Sequence, residues 1–354
     1  MESPSHIKRI GIDPEKVLKE TLLEKFGKRF LKYRADYEKS LKNPDNKYDF
    51  LPSYPISVLV GLHNRCDLDC KMCYPGYRND KKTNLSDKVI KKLFKEFKSN
   101  KLSAIMFGAN EEPFLYNKLF DVVDMAVSSN IMDIFIFSNG TLLNKKNSDK
   151  VLNNEVTRLF ISVDAVTREA YDEIRIPNKI TDIFNKNRLL ALENNIRSFI
   201  DNRNKSEMTL PLVRTSMSVQ PENKHEVQPF IDKWSGIVDN VEIQVYSDYS
   251  SVHRLSKKTK EFNTKSRNLS DNLKNPHCTQ PWNTITIWPN GNVSPCCNLN
   301  GINLTIGNVN NDTVKNIWNS KEMTTIREQF ISGKLNVVCQ NCLLSRREDL
   351  FEEV

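Results

Sequence analysis

Three cysteines, Cys66, Cys70 and Cys73, stand in the segment CDLDCKMC, spaced by four and then three residues. Thiolates are soft donors that select zinc, copper(I) or iron–sulfur clusters. A structural zinc requires four protein ligands. His63, three residues upstream, is the local candidate for a fourth, so spacing alone leaves zinc and a cluster both open. A second group lies near the other end of the chain: Cys278, the adjacent pair Cys296 and Cys297, and Cys339 and Cys342 in the closing CQNC. Four thiolates gathered by a hairpin and a final CxxC make a closed site, which suits structural zinc or a fully ligated cluster by spacing. Eight cysteines in 354 residues are too few for a disulfide scaffold, so position matters more than number.

These groups need a framework. Apolar runs at 56–62, 102–107, 133–138, 158–163, 212–219 and 241–246 read as short strands. They alternate with helical patterns near 85–99, 116–129, 143–152, 178–198 and 224–234. Such βα repeats predict an α/β fold with a parallel sheet and outer helices. Six units are too few for a closed eight-stranded barrel and suit a partial (β/α)6 TIM-like barrel, with function at the C-terminal strand ends. CDLDCKMC follows the first strand directly. Residues 12–43 place Val17, Leu18, Leu22, Leu23, Phe26, Phe30 and Leu31 at helical spacing, which predicts one or two amphipathic helices. NTITIWPNGNVSPCC predicts a hairpin turning at Pro289-Asn290-Gly291, followed by helices near 314–318 and 323–330. The expected organisation is a helical cap (1–52), the partial barrel (53–250), a polar linker (251–276) and a small α+β module (277–354).

Composition narrows the function classes. With 38% hydrophobic and 27% charged residues, the chain is a soluble globular type rather than a disordered or membrane one. A net charge of +8 is modest for this length, and no basic aromatic stripe supports a nucleic-acid reading. The first residues lack an apolar signal region, and no run approaches 18 apolar residues. A cytoplasmic location with reduced thiols is expected.

CxxxCxxC after the first strand resembles the radical S-adenosylmethionine (SAM) superfamily. That resemblance implies a [4Fe–4S] cluster on Cys66, Cys70 and Cys73, with SAM chelating the fourth iron. Met72 stands where the family usually has an aromatic, with Tyr74 just beyond. GANEEP, from Gly108 to Pro113, is similar to the Gly-rich segment ending in Glu-Pro, which puts Gly108 and Glu112 at the SAM amino group. Ala109 and Glu111 replace two of the usual glycines. SNGT, containing Ser138 and Asn139, resembles the Thr-Asn-Gly turn of the family. In SVDAVTREAYDEIR the resemblance assigns Ser162 to the ribose, Arg175 to the SAM carboxylate and Asp164 to the same pocket. A planar guanidinium suits a carboxylate because it donates two parallel hydrogen bonds.

The C-terminal module resembles the SPASM and twitch auxiliary-cluster domains, through its Cys-x-x-Pro-Trp opening and Gly-x4-Cys hairpin. No cysteine follows Cys342, so the resemblance implies one auxiliary [4Fe–4S] cluster, on Cys278, Cys296, Cys339 and Cys342. Cys297 is an alternative ligand, a core thiol or a hydrogen-atom donor. His277 is a candidate acid/base because histidine titrates near neutrality. Gln244, Tyr246, Trp282 and Asn298 are candidate substrate contacts by position.

The implied reaction is reductive cleavage of SAM to a 5′-deoxyadenosyl radical, which abstracts a substrate hydrogen atom. The expected outcome is oxidation or epimerisation of a small polar, sugar-like metabolite, an oxidoreductase or epimerase activity. The alternative is maturation of a peptide or protein side chain. An electron donor such as flavodoxin or ferredoxin is implied, and neither DNA nor a membrane is an expected partner. A non-catalytic metal-stabilised binding protein explains the cysteines but not Ser162, Asp164 and Arg175 in matching order.

Overall fold

The six apolar runs form six parallel strands: β2 (Ser57–Val60), β3 (Ala104–Phe107), β4 (Asp133–Ser138), β5 (Arg158–Ser162), β6 (Leu212–Val219) and β7 (Asn240–Val245). They lie in that order, each hydrogen-bonded to the next. The computed structural model describes residues 7–45, 47–73, 82–178, 187–245, 276–297 and 302–344. Most of the expected linker lies outside these residues, as do Tyr74, Tyr246 and Asn298.

Side chains alternate along a strand, so each strand has two different faces. One set, including Ile134, Ile136, Leu159, Ile161, Val213, Met217, Val241 and Ile243, is buried in the main core. That core takes in residues of the covering helices α3 (Asp87–Ser99), α4 (Leu119–Ser128), α5 (Lys145–Asn153), α7 (Arg188–Lys205) and α8 (Val227–Trp234). The opposite set, Phe135, Phe137, Phe160, Ser162, Arg214, Ser218 and Gln244, is only half-buried. Register pairs Phe137 with Phe160, Phe160 with Arg214 and Ser218 with Gln244 on this inward face. The result is a partial TIM-like barrel whose inner wall is aromatic at β4 and β5 and polar at β6 and β7.

The N-terminal segment departs from a purely helical cap. Helices α1 (Pro14–Phe26) and α2 (Lys28–Leu41) form as expected, separated at Gly27. Asp13 caps α1 by accepting the Glu15 N–H at 3.0 Å, and Pro14 opens it. Leu18, Leu22, Phe30 and Tyr33 pack with Ile56, Ala104, Met132 and Leu212 at the N-terminal ends of the strands, which closes that end of the barrel. Ahead of them, β1 (Ile7–Gly11) pairs antiparallel with β7. This strand escapes sequence reading because IKRIG lacks period-2 alternation and its partner lies more than 200 residues away.

At the other edge, β8 (Thr284–Ile287) pairs parallel with β2, and β9 (Asn292–Ser294) returns antiparallel as the expected hairpin. β10 (Gly307–Asn308) completes one sheet of ten strands, ordered β1-β7-β6-β5-β4-β3-β2-β8-β9-β10. Helices α9 (Val314–Trp318) and α10 (Lys321–Ser332) follow, and α11 (Val337–Leu344) carries the CxxC. Trp282, Ile285, Ile317, Trp318 and Leu343 join the same core as the barrel. The cysteine module is thus welded to the barrel through β2 rather than tethered to it. Among the described residues, no helix is long and apolar enough to cross a membrane.

Candidate active site

The cysteine loop begins where β2 ends, and its backbone is clasped by the segment that follows α6 (Arg168–Ile174). Asp69 N–H donates to Ile176 O at 2.7 Å, Lys71 N–H to Ile174 O at 3.1 Å, and Asn178 N–H to Asp67 O at 2.8 Å. Helix α6 lies outside the expected helical segments. It has only seven residues, and its start depends on Thr167 as N-cap and on the distant Glu226, whose carboxylate accepts the N–H groups of Val166 and Thr167. The clasp brings Cys66, Cys70 and Cys73 into one cluster with Leu68 and Met72. The Cys70 thiol lies within hydrogen-bonding reach of Cys73 and close to Cys66.

His63 has another task. Its Nδ1 accepts the Arg65 N–H at 3.0 Å and its ring stacks on Tyr116 at 5.7 Å. Burial holds it neutral, with its pKa pushed down to about 4. Because Nδ1 is an acceptor, Nε2 carries the hydrogen and is a donor rather than a metal ligand. With Nδ1 already engaged by Arg65, His63 fits the Cys3His zinc alternative poorly.

Loops after β3 and β4 close around the cysteines. Gly108 has φ +99°, and a Cβ there would stand 2.3 Å from Phe137 O, so only glycine fits. Glu111, in place of an expected glycine, turns its buried carboxylate back to accept the Leu62 N–H at 3.2 Å and the Asn110 N–H at 2.9 Å. It ties the β3 loop to the end of β2. Glu112 accepts from Ser138 Oγ at 2.9 Å, Asn139 N–H at 2.8 Å and Phe114 N–H at 3.2 Å. Burial, reinforced by Asp67, raises Glu112 to about 8; burial raises Glu111 to about 7. Asn139 in turn donates to Asp67 Oδ1 at 2.6 Å, while Thr141 Oγ1 donates to Asp67 Oδ2. Asp67 was missed in sequence; an acid beside a cysteine ligand was the available signal.

Beyond β5 the chain turns through Asp164, which holds φ +68°. Asp164 Oδ1 accepts the Ser218 N–H at 2.7 Å and its other oxygen pairs with Arg175. Burial opposes the Arg175 charge, yet Asp164 and Cys70 keep the guanidinium firmly protonated. Ser162 lies on the inward face opposite Ser216. Asn223 secures this corner, donating to Asp164 O at 2.7 Å and Ser218 O at 3.0 Å. Nearby Glu222, with a fully buried side chain, pairs with Lys71 of the cysteine loop at 3.3 Å. Nothing in sequence flagged Glu222 or Asn223, because both contacts cross between strand ends.

Several buried polar atoms here have no protein partner: Asn110 Nδ2, Arg175 Nε, Gln220 Nε2 and Glu222 Oε2. All belong to the loops beyond the C-terminal ends of β3, β5 and β6. Buried polar groups are normally satisfied, so this end of the barrel is organised for a polar ligand. Three neighbouring thiols suit three irons of a cluster, and the orphaned donors and acceptors suit an amino-acid and ribose-bearing ligand beside it. The residues fit a cluster with bound SAM.

In the C-terminal module, burial pushes the Cys339 thiol up to about 12, with nearby Cys278 and Cys342 adding to the shift, and burial also raises the Cys297 thiol. Asn336 Nδ2 lies 3.3 Å from Cys339 Sγ. Cys296 is half-buried and Cys297 exposed. Trp282 is not on a substrate surface: it is 1% exposed, stacked on Tyr48 at 4.0 Å and edge-on to Phe330 at 6.1 Å. Its size and apolar surface put it in the core. Gln244 is half-buried on the inward wall and donates to Ser218 Oγ at 3.1 Å. His277 is exposed.

Comparison with known families decides the class. Residues 60–217 match the radical SAM superfamily, and residues 278–343 match an iron–sulfur cluster-binding domain, SPASM. The chain carries a radical SAM domain and a SPASM domain. The cofactors of this radical SAM enzyme are [4Fe–4S] clusters and SAM. No curated protein matches its sequence. Among solved structures, Streptococcus suis SuiB bound to S-adenosylmethionine is 15% identical, covering 96% of this chain and 88% of that one, with a TM-score of 0.59. Native anSMEcpe with bound AdoMet and Cp18Cys peptide is 15% identical, covering 82% and 87%, with a TM-score of 0.56. BtrN in complex with AdoMet and 2-DOIA is 17% identical over 81% and 92%, but its TM-score of 0.49 gives it no weight. At these identities the likeness is one of fold.

Proposed function

We propose that this radical SAM enzyme abstracts a hydrogen atom from a small polar metabolite and oxidises or epimerises it. When bound and reduced, the cluster supplies the electron that splits the SAM sulfonium into methionine and a 5′-deoxyadenosyl radical. The protein residues do the rest. Cys66, Cys70 and Cys73 hold the cluster, with Met72 packed among them. Gly108 and Glu112 shape the loop at the SAM amino group, which Ser138 and Asn139 brace. Ser162, Asp164 and Arg175 form the ribose and carboxylate side of the pocket. Cys278, Cys296, Cys339 and Cys342 would hold an auxiliary cluster, which would supply one-electron transfer chemistry beside the barrel.

The observation that carries the substrate reading is the inward wall of β6 and β7. Ser216, Ser218 and Gln244 lie on the inward face of β6 and β7, while Glu242 beside them is taken by Arg9 and Arg214; this wall suits hydroxyl groups rather than an apolar chain. Gln244 is the proposed substrate contact. Buried hydrogen-bonding groups discriminate strongly for a matching polar substrate.

A peptide substrate is the second reading. It is supported by fold likeness to SuiB, which has been solved with its precursor peptide SuiA at a TM-score of 0.57, and to the peptide-bound anSMEcpe. The test is an anaerobic incubation of reconstituted enzyme with SAM, dithionite and either a metabolite extract or a peptide library. The expected result on a small polar compound, matched by 5′-deoxyadenosine, is a two-hydrogen mass loss for oxidation, or incorporation of one solvent deuterium in D2O for epimerisation. Turnover confined to peptides would replace the first reading with the second.

A further inference from the structure

We infer that Arg175 and Asn139 are positioning residues that raise the reduction potential of the cluster on Cys66, Cys70 and Cys73, by donating hydrogen bonds to its cysteine sulfurs. The inference rests on the radical SAM reading of those three cysteines and goes beyond their role as ligands.

Arg175 Nη1 lies 3.7 Å from Cys70 Sγ, and Nη2 is taken by Asp164. The two terminal nitrogens are therefore divided between a carboxylate and a cysteine sulfur. The remaining Nε has no protein partner and stays available to a bound ligand. The side chain is buried and the backbone that carries it is fixed on both sides: the Arg175 backbone N–H donates to Tyr171 O at 2.7 Å, and its backbone carbonyl accepts from Arg188. Its partner Asp164 is itself fixed by Ser218 N–H. A free surface arginine would have no reason to carry this support.

From the other side, Asn139 Nδ2 lies 3.7 Å from Cys66 Sγ and 2.6 Å from Asp67 Oδ1. Asp67 orients the amide, and Thr141 and the backbone N–H of Thr141 hold its oxygen. The Leu68 N–H also points at Cys66 Sγ, at 3.5 Å. Two of the three cysteines thus receive a side-chain N–H whose direction is set by a buried carboxylate.

Reduction adds one negative charge to a cluster already made anionic by its thiolates. Hydrogen bonds to the sulfurs and a neighbouring cation stabilise the reduced form more than the oxidised one. Arg175 supplies both a bond and a full charge, Asn139 a bond alone. Arg175 therefore has the larger effect.

The experiment uses the full chain, reconstituted anaerobically with iron and sulfide, and poised stepwise with dithionite in the presence of viologen mediators. Electron paramagnetic resonance follows each cluster, and the cluster of interest is the one whose spectrum changes on adding SAM. At a fixed poise, Arg175→Gln should lower the ratio of reduced to oxidised cluster about tenfold, a shift of about 59 mV for one electron. Arg175→Lys, which keeps the charge, should recover most of it, and Asn139→Ala should lower the ratio by a smaller factor. The auxiliary cluster of the same samples should not move.

An unchanged midpoint in Arg175→Gln, with iron content and the SAM-induced spectral change intact, overturns the inference and leaves the radical SAM reading standing. If Arg175→Gln assembles no cluster, Asn139→Ala decides, and an unshifted midpoint there overturns it equally. A wild-type protein with no SAM-sensitive cluster overturns the reading on which the inference rests.

Discussion

Asn139 and Asp67, 72 residues apart in sequence, meet at 2.6 Å and join the β4 turn to the cysteine loop. Both are buried, and Thr141 completes the link from its hydroxyl. The loop that carries the cluster ligands is thereby braced against a strand end rather than left to the metal to organise. Removing Asp67 should therefore loosen the ligand set. Asp67→Ala removes the acceptor shared by Asn139 and Thr141, a cost of about 1–3 kcal/mol. Iron retained after desalting should fall at the SAM-sensitive cluster and remain at the auxiliary one. Full retention at both would show that the cluster alone orders the loop.

The cysteine groups predict a definite iron count. The reconstituted chain should hold about eight irons, as two four-iron clusters do. Replacing Cys66, Cys70 and Cys73 together by Ala should leave about four and abolish SAM cleavage. Four irons in the unaltered protein would remove the auxiliary cluster from the account.

Cys296 and Cys297 can be separated by the same measurement. Cys296→Ser should reduce auxiliary iron and broaden its spectrum, while Cys297→Ser should leave both unchanged. The reverse pattern would transfer the ligand to Cys297, whose thiol also feels Cys278.

Glu111 and Glu112 predict how the metal-free chain responds to pH. Burial raises them from an ordinary value of 4.5 to about 7 and about 8, so the folded state binds protons that the unfolded state has released. That stabilisation is complete below about pH 4.5 and is lost as pH rises through 7 and 8. For Glu111 the loss is about 3 kcal/mol, at 1.36 kcal/mol per pH unit. Urea unfolding of the apo protein should show a falling midpoint between pH 5 and pH 8. Glu111→Gln, permanently neutral, should flatten that fall; an equally steep decline would assign it elsewhere.

Gly108→Ala tests the loop after β3. The added Cβ would meet Phe137 O at 2.3 Å in a backbone conformation of φ +99°. Strain and clash together should cost about 2 kcal/mol or more. Thermal unfolding followed by circular dichroism should register several degrees of lost stability together with weakened SAM binding.

Much of this site was legible because its signals are local. The strands β2 to β7 carry compact apolar runs that declare themselves within four to eight residues. CDLDCKMC, GANEEP and SNGT each sit on a single loop. Their order along the chain gave the family, and the family gave the cofactors. Other features depend on partners distant in sequence. The IKRIG strand exists because β7 offers an open edge. The clasp of residues 174–178 exists because the cysteine loop returns to it. Trp282 reads in sequence as an available aromatic, and only packing against Tyr48 and Phe330 shows that it belongs to the core.

The sequence by itself determined the chemistry: which residues are thiols, where they fall relative to strands, and hence that iron, sulfur and SAM are handled here. The tertiary structure decided how those thiols are held. It joined the cysteine module to β2 in one sheet, turned Glu111 into a brace, and aimed Arg175 and Asn139 at the cysteine sulfurs. Covalent spacing fixes which groups are available within a loop. Hydrogen bonds between strand ends are set only when the sheet brings distant loops to one side, and no local pattern records that meeting.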